Sequence, residues 1–223
     1  MIYFYHIISV FSILLVVPCF VFFSLFSRNK WRRLNDHFGL IFFNDVSGKS
    51  QKTLWFHALS LGEVAGATPT IRFLRKNRPK DRIVVSVTTD SGFEAAKIKL
   101  PDVDALFFFP LDCFPFNWAA IQKIKPDVFV LVDTGFWPGF IHILNFKKVP
   151  IFLFNGRISN RSMRKYRMFN SFFSRLFNWF TKLCMQNPHS RDSLESIGVD
   201  KSRLIIIGDA KFDSFINSSQ EKR

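Results

Sequence analysis

The sequence predicts an α/β chain, a doubly wound domain around a parallel sheet, with an apolar helix ahead of it. Three observations carry this. Short apolar runs recur at 54–59, 83–87, 105–109, 128–132, 149–154 and 204–207, with a less clear one at 180–185. Most are apolar on both faces and rich in Val, Ile and Phe, as strands covered by helices on both sides must be. Helix-length segments such as 63–76 and 190–197 lie between them, and that alternation is the pattern of strand–helix–strand units.

The leading element is the run 2–26, which holds no Lys, Arg, Asp or Glu. About 20 apolar residues cross a bilayer core as a helix. Tyr3 and Tyr5 suit an interface, and Pro18 is a tolerable kink. Arg28, Lys30, Arg32 and Arg33 follow at once, which places that side in the cytoplasm. A cleaved signal peptide is the competing reading. The run is longer than a usual signal core, its cations follow rather than precede it, and no small-residue cleavage site precedes them. The expected layout is a membrane anchor at 1–27, a basic helix and linker at 28–52, the α/β domain at 53–215 and a polar tail at 216–223. It puts the protein in the inner (cytoplasmic) membrane with its domain facing the cytoplasm. No internal repeat and no second domain is evident.

The 223 residues include 31 Lys and Arg against 17 Asp and Glu, a net charge of +14. Such an excess favours an anionic partner: nucleic acid, phospholipid head groups or a phosphorylated substrate. The 30 Phe residues are read as compositional drift. Cys19, Cys113 and Cys184 are far apart and fit a reducing compartment, with no disulfide framework. No HExxH and no Cys/His cluster argues for a metal, so no metal and no cofactor is expected.

In a doubly wound sheet, ligands bind outside the carboxyl ends of the strands. Three turns there carry candidate chemistry. In the first, His57 to Glu63, a strand ends and a helix begins, so the Glu63 carboxylate lies near the positive helix end. It either serves the ligand crevice or complements the dipole, with Ser60 as the cap. In the second, Asp133 to Pro138, Pro138 suits a first helical turn, and Asp133 is either a site residue or that helix's cap. In the third, Gly208 to Asp213, Lys211 either meets a phosphate or developing negative charge, or is simply solvated. A fourth region is compositional. From Thr134 to Arg191 there are ten Lys and Arg and no Asp or Glu. Within it Arg161, Arg164, Lys165, Arg167 and Arg175 interleave with Tyr166, Phe169, Phe172, Phe173, Phe177 and Trp179. The stretch reads as a lipid-phosphate or membrane-surface contact, as a nucleic-acid face, or as core aromatics beside a solvated edge. The apolar N-terminus favours lipid.

Six segments, in this order, resemble the N-terminal half of the Kdo (3-deoxy-D-manno-octulosonic acid) transferases. They are Arg33-Leu34-Asn35-Asp36-His37-Phe38-Gly39, His57 to Glu63, Val87-Thr88-Thr89-Asp90-Ser91-Gly92, Asp133 to Pro138, Asn155-Gly156-Arg157-Ile158-Ser159-Asn160-Arg161-Ser162, and Gly208 to Asp213. The resemblance covers about Arg32 to Asp213. It implies a Rossmann-like N-terminal domain of a GT-B glycosyltransferase, which receives lipid A (lipid IVA) while a C-terminal domain holds CMP-Kdo. It further implies an inverting, metal-free transfer of Kdo in lipopolysaccharide inner-core biosynthesis. Glu63 matches the family's base, in a Ser-x-Gly-Glu turn. Asp133 falls where the family has a glutamate thought to stabilise the transition state, and Lys211 matches a lysine of similar role. Acceptor-side candidates are Ser60 and Gly62 of the first turn and Arg157, Arg161, Arg164 and Arg167 of the basic stretch.

The sequence also departs from the family. Asp133 is one methylene shorter than Glu, Gly135 stands where a second Glu is usual, and Asp36 and His37 replace a Glu-Arg pair. Asp36 is a rival carboxylate, read as lying in a linker without a rigid support. The donor domain is expected to lie on another chain, so the partners implied are a lipid A precursor, the inner membrane and a separate CMP-Kdo-binding half, with no nucleic acid. A non-catalytic lipid A-binding membrane protein left by truncation is the alternative, and a membrane-tethered nucleic-acid-binding domain is a third reading supported by charge alone.

Overall fold

A computed structural model describes residues 2, 5–11, 18, 34–41, 52–133 and 135–210. Seven strands form one sheet: β1 (Thr53–Ala58), β2 (Arg82–Val87), β3 (Ala105–Phe108), β4 (Val128–Val132), β5 (Ile151–Gly156), β6 (Lys182–Met185) and β7 (Leu204–Ile206). Among the described residues from 52 onward, seven helices connect or flank them: α1 (Leu61–Asn77), α2 (Asp90–Lys99), α3 (Phe114–Ile124), α4 (Pro138–Phe146), α5 (Asn160–Met168), α6 (Asn170–Asn178) and α7 (Pro188–Glu195). The strand order is β3-β2-β1-β4-β5-β6-β7, and every pairing is parallel. All seven apolar runs are strands, the unclear 180–185 among them.

Alternation along the strands splits the core into two layers. Leu54, Phe56 and Ala58 of β1 and Ile83, Val85 and Val87 of β2 face α1 and α2, meeting Val64, Ala67, Ile71, Ala95 and Ala96. Trp55 and Val84 face the other way. They join Phe129, Leu131, Ile151 and Leu153 and are covered by Ile121 and Ile124 of α3, Phe140 and Leu144 of α4, and Leu176 and Phe177 of α6. All six residues of β1 are buried, which is why these strands read as unbroken apolar runs instead of an in–out alternation.

The expected linker at 28–52 is, where described, part of the fold. Residues 34–37 form a helical turn against the carboxyl end of β3. Asp36 is buried and accepts the Phe108 N–H at 3.0 Å. His37 Nδ1–H donates to the Phe109 carbonyl at 2.7 Å, and the Leu111 N–H donates to the His37 carbonyl. Gly39 turns the chain away at φ +74°, with the Phe116 carbonyl 2.3 Å from where a Cβ would stand, so only glycine fits. Asp36 is therefore a rigidly held structural carboxylate, not a loose rival base.

Of the apolar run 2–26, residues 2, 5–11 and 18 are described. Among the described residues, no helix is long and apolar enough to cross a membrane. The anchor and its cationic flank at Arg28 to Arg33 thus lie mostly outside the described residues, as does the tail at 216–223. The described helical residues 5–11 pack on the α/β domain. Tyr5 O–H donates to Asp112 at 2.5 Å, the His6 and His142 rings share a hydrogen bond at 2.9 Å, and the Cys113 thiol donates to the Ser9 carbonyl. Tyr5, expected at a membrane interface, is instead partnered by this carboxylate. The outward face of the same turns carries exposed Ile7, Ile8 and Phe11.

Candidate active site

β1 and β4 are neighbours at the centre of the sheet. The helices packed against β1 and β2 lie on one face and those following β4 on the other, so a crevice opens between the carboxyl ends of β1 and β4. The turns after these two strands are the ones that carry Glu63 and Asp133. They touch: a Cβ on Gly135 would sit 2.2 Å from Leu59 Cδ1. They are also bonded, because the Trp137 indole N–H donates to His57 Nε2 at 3.1 Å. Sequence positions some 70 residues apart thus share one crevice. A glutamate at position 135 would require Leu59 to move.

Glu63 stands in the first turn of α1. Its carboxylate accepts the Leu59 N–H in a short hydrogen bond, and the Ser60 hydroxyl reaches its other oxygen at 3.5 Å. Ser60 occupies the N-cap position, but its side chain makes no capping bond. The bracing therefore runs from Glu63 back to the turn, as one half of a capping box does. The carboxylate is fixed by the turn and stays half-buried at its edge, while Ser60, read as the cap, makes no capping bond. Beside it a Cβ on Gly62 would meet nothing within 4 Å, so the turn has free space on the solvent side. The N-terminus of α2 joins this corner. Thr89 Oγ1 caps it by accepting the Gly92 N–H, while the Thr88 and Thr89 N–H groups both donate to the Leu59 carbonyl. Two helix N-termini, α1 and α2, converge near Leu59 and Ser60 and favour negative charge there.

Asp133 ends β4 in the left-handed region, at φ +62°, with its N–H on the Phe154 carbonyl. Asn155, next to last in the neighbouring β5, is left-handed too, at φ +61°. Left-handed backbone at non-glycine residues costs about 1 kcal/mol or more and gathers at functional edges. Asp133 does not cap α4. Asp112 does so from another loop, its two carboxylate oxygens accepting the Gly139 and Phe140 N–H groups at 3.0 and 2.8 Å. It also accepts from Tyr5 and from Asn117 Nδ2. Asn155 is buried, and its side-chain oxygen accepts the Ala210 N–H at 2.9 Å. That bond brings the turn after β7 to the end of β5. Lys211, the next residue, lies outside the described residues. Asp112 and Asn155 are two structural residues that reading by turns did not single out, since the partners of each are distant in sequence.

His57 is fully buried and stacked on Phe109, with ring centroids 3.9 Å apart. Because an indole N–H only donates, Nε2 must be the acceptor, and the ring proton sits on Nδ1, facing the Ser86 carbonyl and hydroxyl at 3.2 and 3.1 Å. Burial pushes its pKa down to about 3. His57 is thus a neutral strut between β1, β2 and the turn before α4.

Arg157 follows β5, and Arg161, Arg164 and Arg167 lie along α5; all four are exposed. None has an ion-pair or hydrogen-bond partner among the described residues. Apart from Phe169, the interleaved aromatics are not part of the same surface. Tyr166 and Phe177 are buried and pack edge-on against Phe136 of the β4 turn, while Phe172, Phe173 and Trp179 are partly buried against that core. The aromatic half of the pattern is core packing, and the arginines, with the exposed Met168 and Phe169, form the surface.

An all-parallel sheet in this order, with its candidate residues at the switch point, defines a Rossmann-like α/β unit of the GT-B-like kind. Solved structures share it. The UDP-GlcNAc 2-epimerase from Neisseria meningitidis bound to UDP-GlcNAc aligns at TM-score 0.55 and 13% identity, over 76% of this chain and 50% of that one. The UDP-N-acetylglucosamine 2-epimerase from Rickettsia bellii aligns at 0.56 and 12%, over 76% and 48%. At such identities the likeness is one of fold alone. Residues 32–214 match the family described as 3-deoxy-D-manno-octulosonic-acid transferase (kdotransferase), and the chain belongs to that family. It is 28% identical over 208 residues to the 3-deoxy-D-manno-octulosonic acid transferase of Haemophilus influenzae, covering 92% of this chain and 48% of that protein. It is 30% identical to a bifunctional glycosyltransferase/methyltransferase of Fusobacterium nucleatum, covering 76% and 26%. The chain spans about half the length of such relatives or less.

Proposed function

We propose that this chain is the acceptor-binding half of a glycosyltransferase that moves Kdo from CMP-Kdo to a lipid A precursor. The observation that carries the reading is the meeting of the Glu63 and Asp133 turns at the β1/β4 switch point, in a chain of the Kdo transferase family. Glu63 is the general base: it takes the proton of the acceptor hydroxyl as that oxygen attacks the anomeric carbon and CMP departs. A positioned carboxylate contributes roughly 10²–10⁴-fold to such a step. The Leu59 N–H and the Ser60 hydroxyl hold it in place, and the space at Gly62 admits the acceptor. Lys211 and Asp133 attend the charge that develops in the transition state. Arg157, Arg161, Arg164 and Arg167 bind the lipid A phosphates, the apolar N-terminus holds the domain at the cytoplasmic face of the inner membrane, and a CMP-Kdo-binding half supplies the donor. No metal is invoked. The shorter Asp133 and the crowding of Gly135 by Leu59 favour a second reading, in which the chain binds lipid A without turning it over. The test is to combine the full chain with a CMP-Kdo-binding half of a related transferase and follow Kdo transfer to lipid IVA. Transfer supports the enzyme; lipid IVA binding without transfer supports the second reading.

A further inference from the structure

The edge of the sheet opposite the candidate active site also holds a cavity. α1 and α2 both end there, at the amino ends of the strands, and the turn into β3 closes the space, about 310 Å³ in volume. That lies at the lower bound of small-molecule sites. Its floor is apolar, with Ile71 and Leu100 nearly fully buried. Its wall carries Arg72, Arg75, Lys76 and Lys99 against one carboxylate, Asp102.

Cations at helix C-termini ordinarily bond the last carbonyls. Arg72 does this, its guanidinium donating to the Lys99 carbonyl at 3.2 and 3.1 Å. The others do not. Arg75 gives one nitrogen to the Asp81 carbonyl and one to Asp104, which leaves its buried Nε–H without a hydrogen-bond partner. Lys76 and Lys99 are exposed and have no ion-pair or hydrogen-bond partner among the described residues. Positive charge therefore exceeds what the helix ends and the two nearby carboxylates absorb, around a concave apolar floor.

We infer that this cavity between α1, α2 and the turn into β3 binds a small organic phosphate monoester, its phosphate on Lys76, Lys99 and Arg75 and its apolar body on Ile71 and Leu100. The site is independent of the Kdo-transfer reading. A titration of the full chain in mild nonionic detergent with phenyl phosphate, followed by calorimetry, tests it. Saturable binding is expected. It should weaken at least about tenfold in a Lys76→Ala/Lys99→Ala variant, since two charge-assisted contacts are lost. Those lysines have no hydrogen-bond or ion-pair partner among the described residues, so the variant should keep the wild-type melting temperature. Lys201→Ala, before β7 at the far edge of the sheet, should bind as wild type. Phenol should not bind, and inorganic phosphate should bind more weakly. Absence of saturable binding, or equal weakening by Lys201→Ala, would overturn the site. Equal affinity for inorganic and phenyl phosphate, or binding only to phosphatidic-acid vesicles, would overturn the assigned ligand.

Discussion

His57 shows how a residue in a sequence motif can act without touching a substrate. Its ring is neutral because burial excludes the charged form, and it links Trp137 to Ser86. The sign of its effect on stability follows. Above about pH 6.5 the ring is neutral in both folded and unfolded chains. Below that, the unfolded chain takes a proton which the folded one refuses down to about pH 3. Stability should fall by about 1.4 kcal/mol per pH unit across that window. A His57→Gln variant, measured by denaturant unfolding at pH 7 and 5, should be less stable at pH 7 but flatter with pH. Equal slopes would show that His57 titrates normally in the fold. Gly62 gives the complementary test. Its missing side chain faces open space, and alanine favours helix, so Gly62→Ala should keep or raise the melting temperature. If the turn admits the acceptor, the same change should weaken lipid IVA binding; unchanged affinity would remove the turn from the acceptor path.

At the scale of elements, the central strands were legible because two-sided burial makes β1 and β2 continuous apolar runs, and the carboxyl-edge rule then pointed to the turns that meet. What was not legible depends on partners far along the chain. The cap of α4 is Asp112, which approaches from the loop before α3, whereas sequence proximity pointed to Asp133. Asp112→Ala should leave the Gly139 and Phe140 N–H groups, Tyr5 and Asn117 without an acceptor. The expected loss is about 3 kcal/mol in denaturant unfolding, and a loss below about 0.5 kcal/mol would mean that α4 is capped otherwise. The segment at 34–41, read as part of a short helix and linker, was not legible as packed on the sheet for a related reason. Its bonds go to β3 and to the loop after it, some 70 residues on, and nothing local in a basic polar stretch announces them. The aromatic–basic interleaving left its alternatives open, and only the folded helices show that Tyr166 and Phe177 turn inward while the arginines turn outward.

For the whole molecule, the question is what the net positive charge and the crevice between β1 and β4 serve. Replacing Arg161, Arg164 and Arg167 together by Gln should weaken binding to lipid IVA vesicles by at least about tenfold, an effect that high salt should mimic. Since these side chains are exposed and have no partner among the described residues, the fold should not change. Full affinity in that triple variant would move the acceptor contact elsewhere. The central claim is that Glu63 removes the acceptor proton. Its most direct test is Kdo transfer from CMP-Kdo to lipid IVA by the chain reconstituted with a CMP-Kdo-binding half, comparing Glu63 with Glu63→Gln. Glutamine keeps the shape and can still accept the Leu59 N–H, so the account predicts lipid binding near wild type and turnover lowered by roughly 10²–10⁴-fold; near-normal turnover in Glu63→Gln would contradict it.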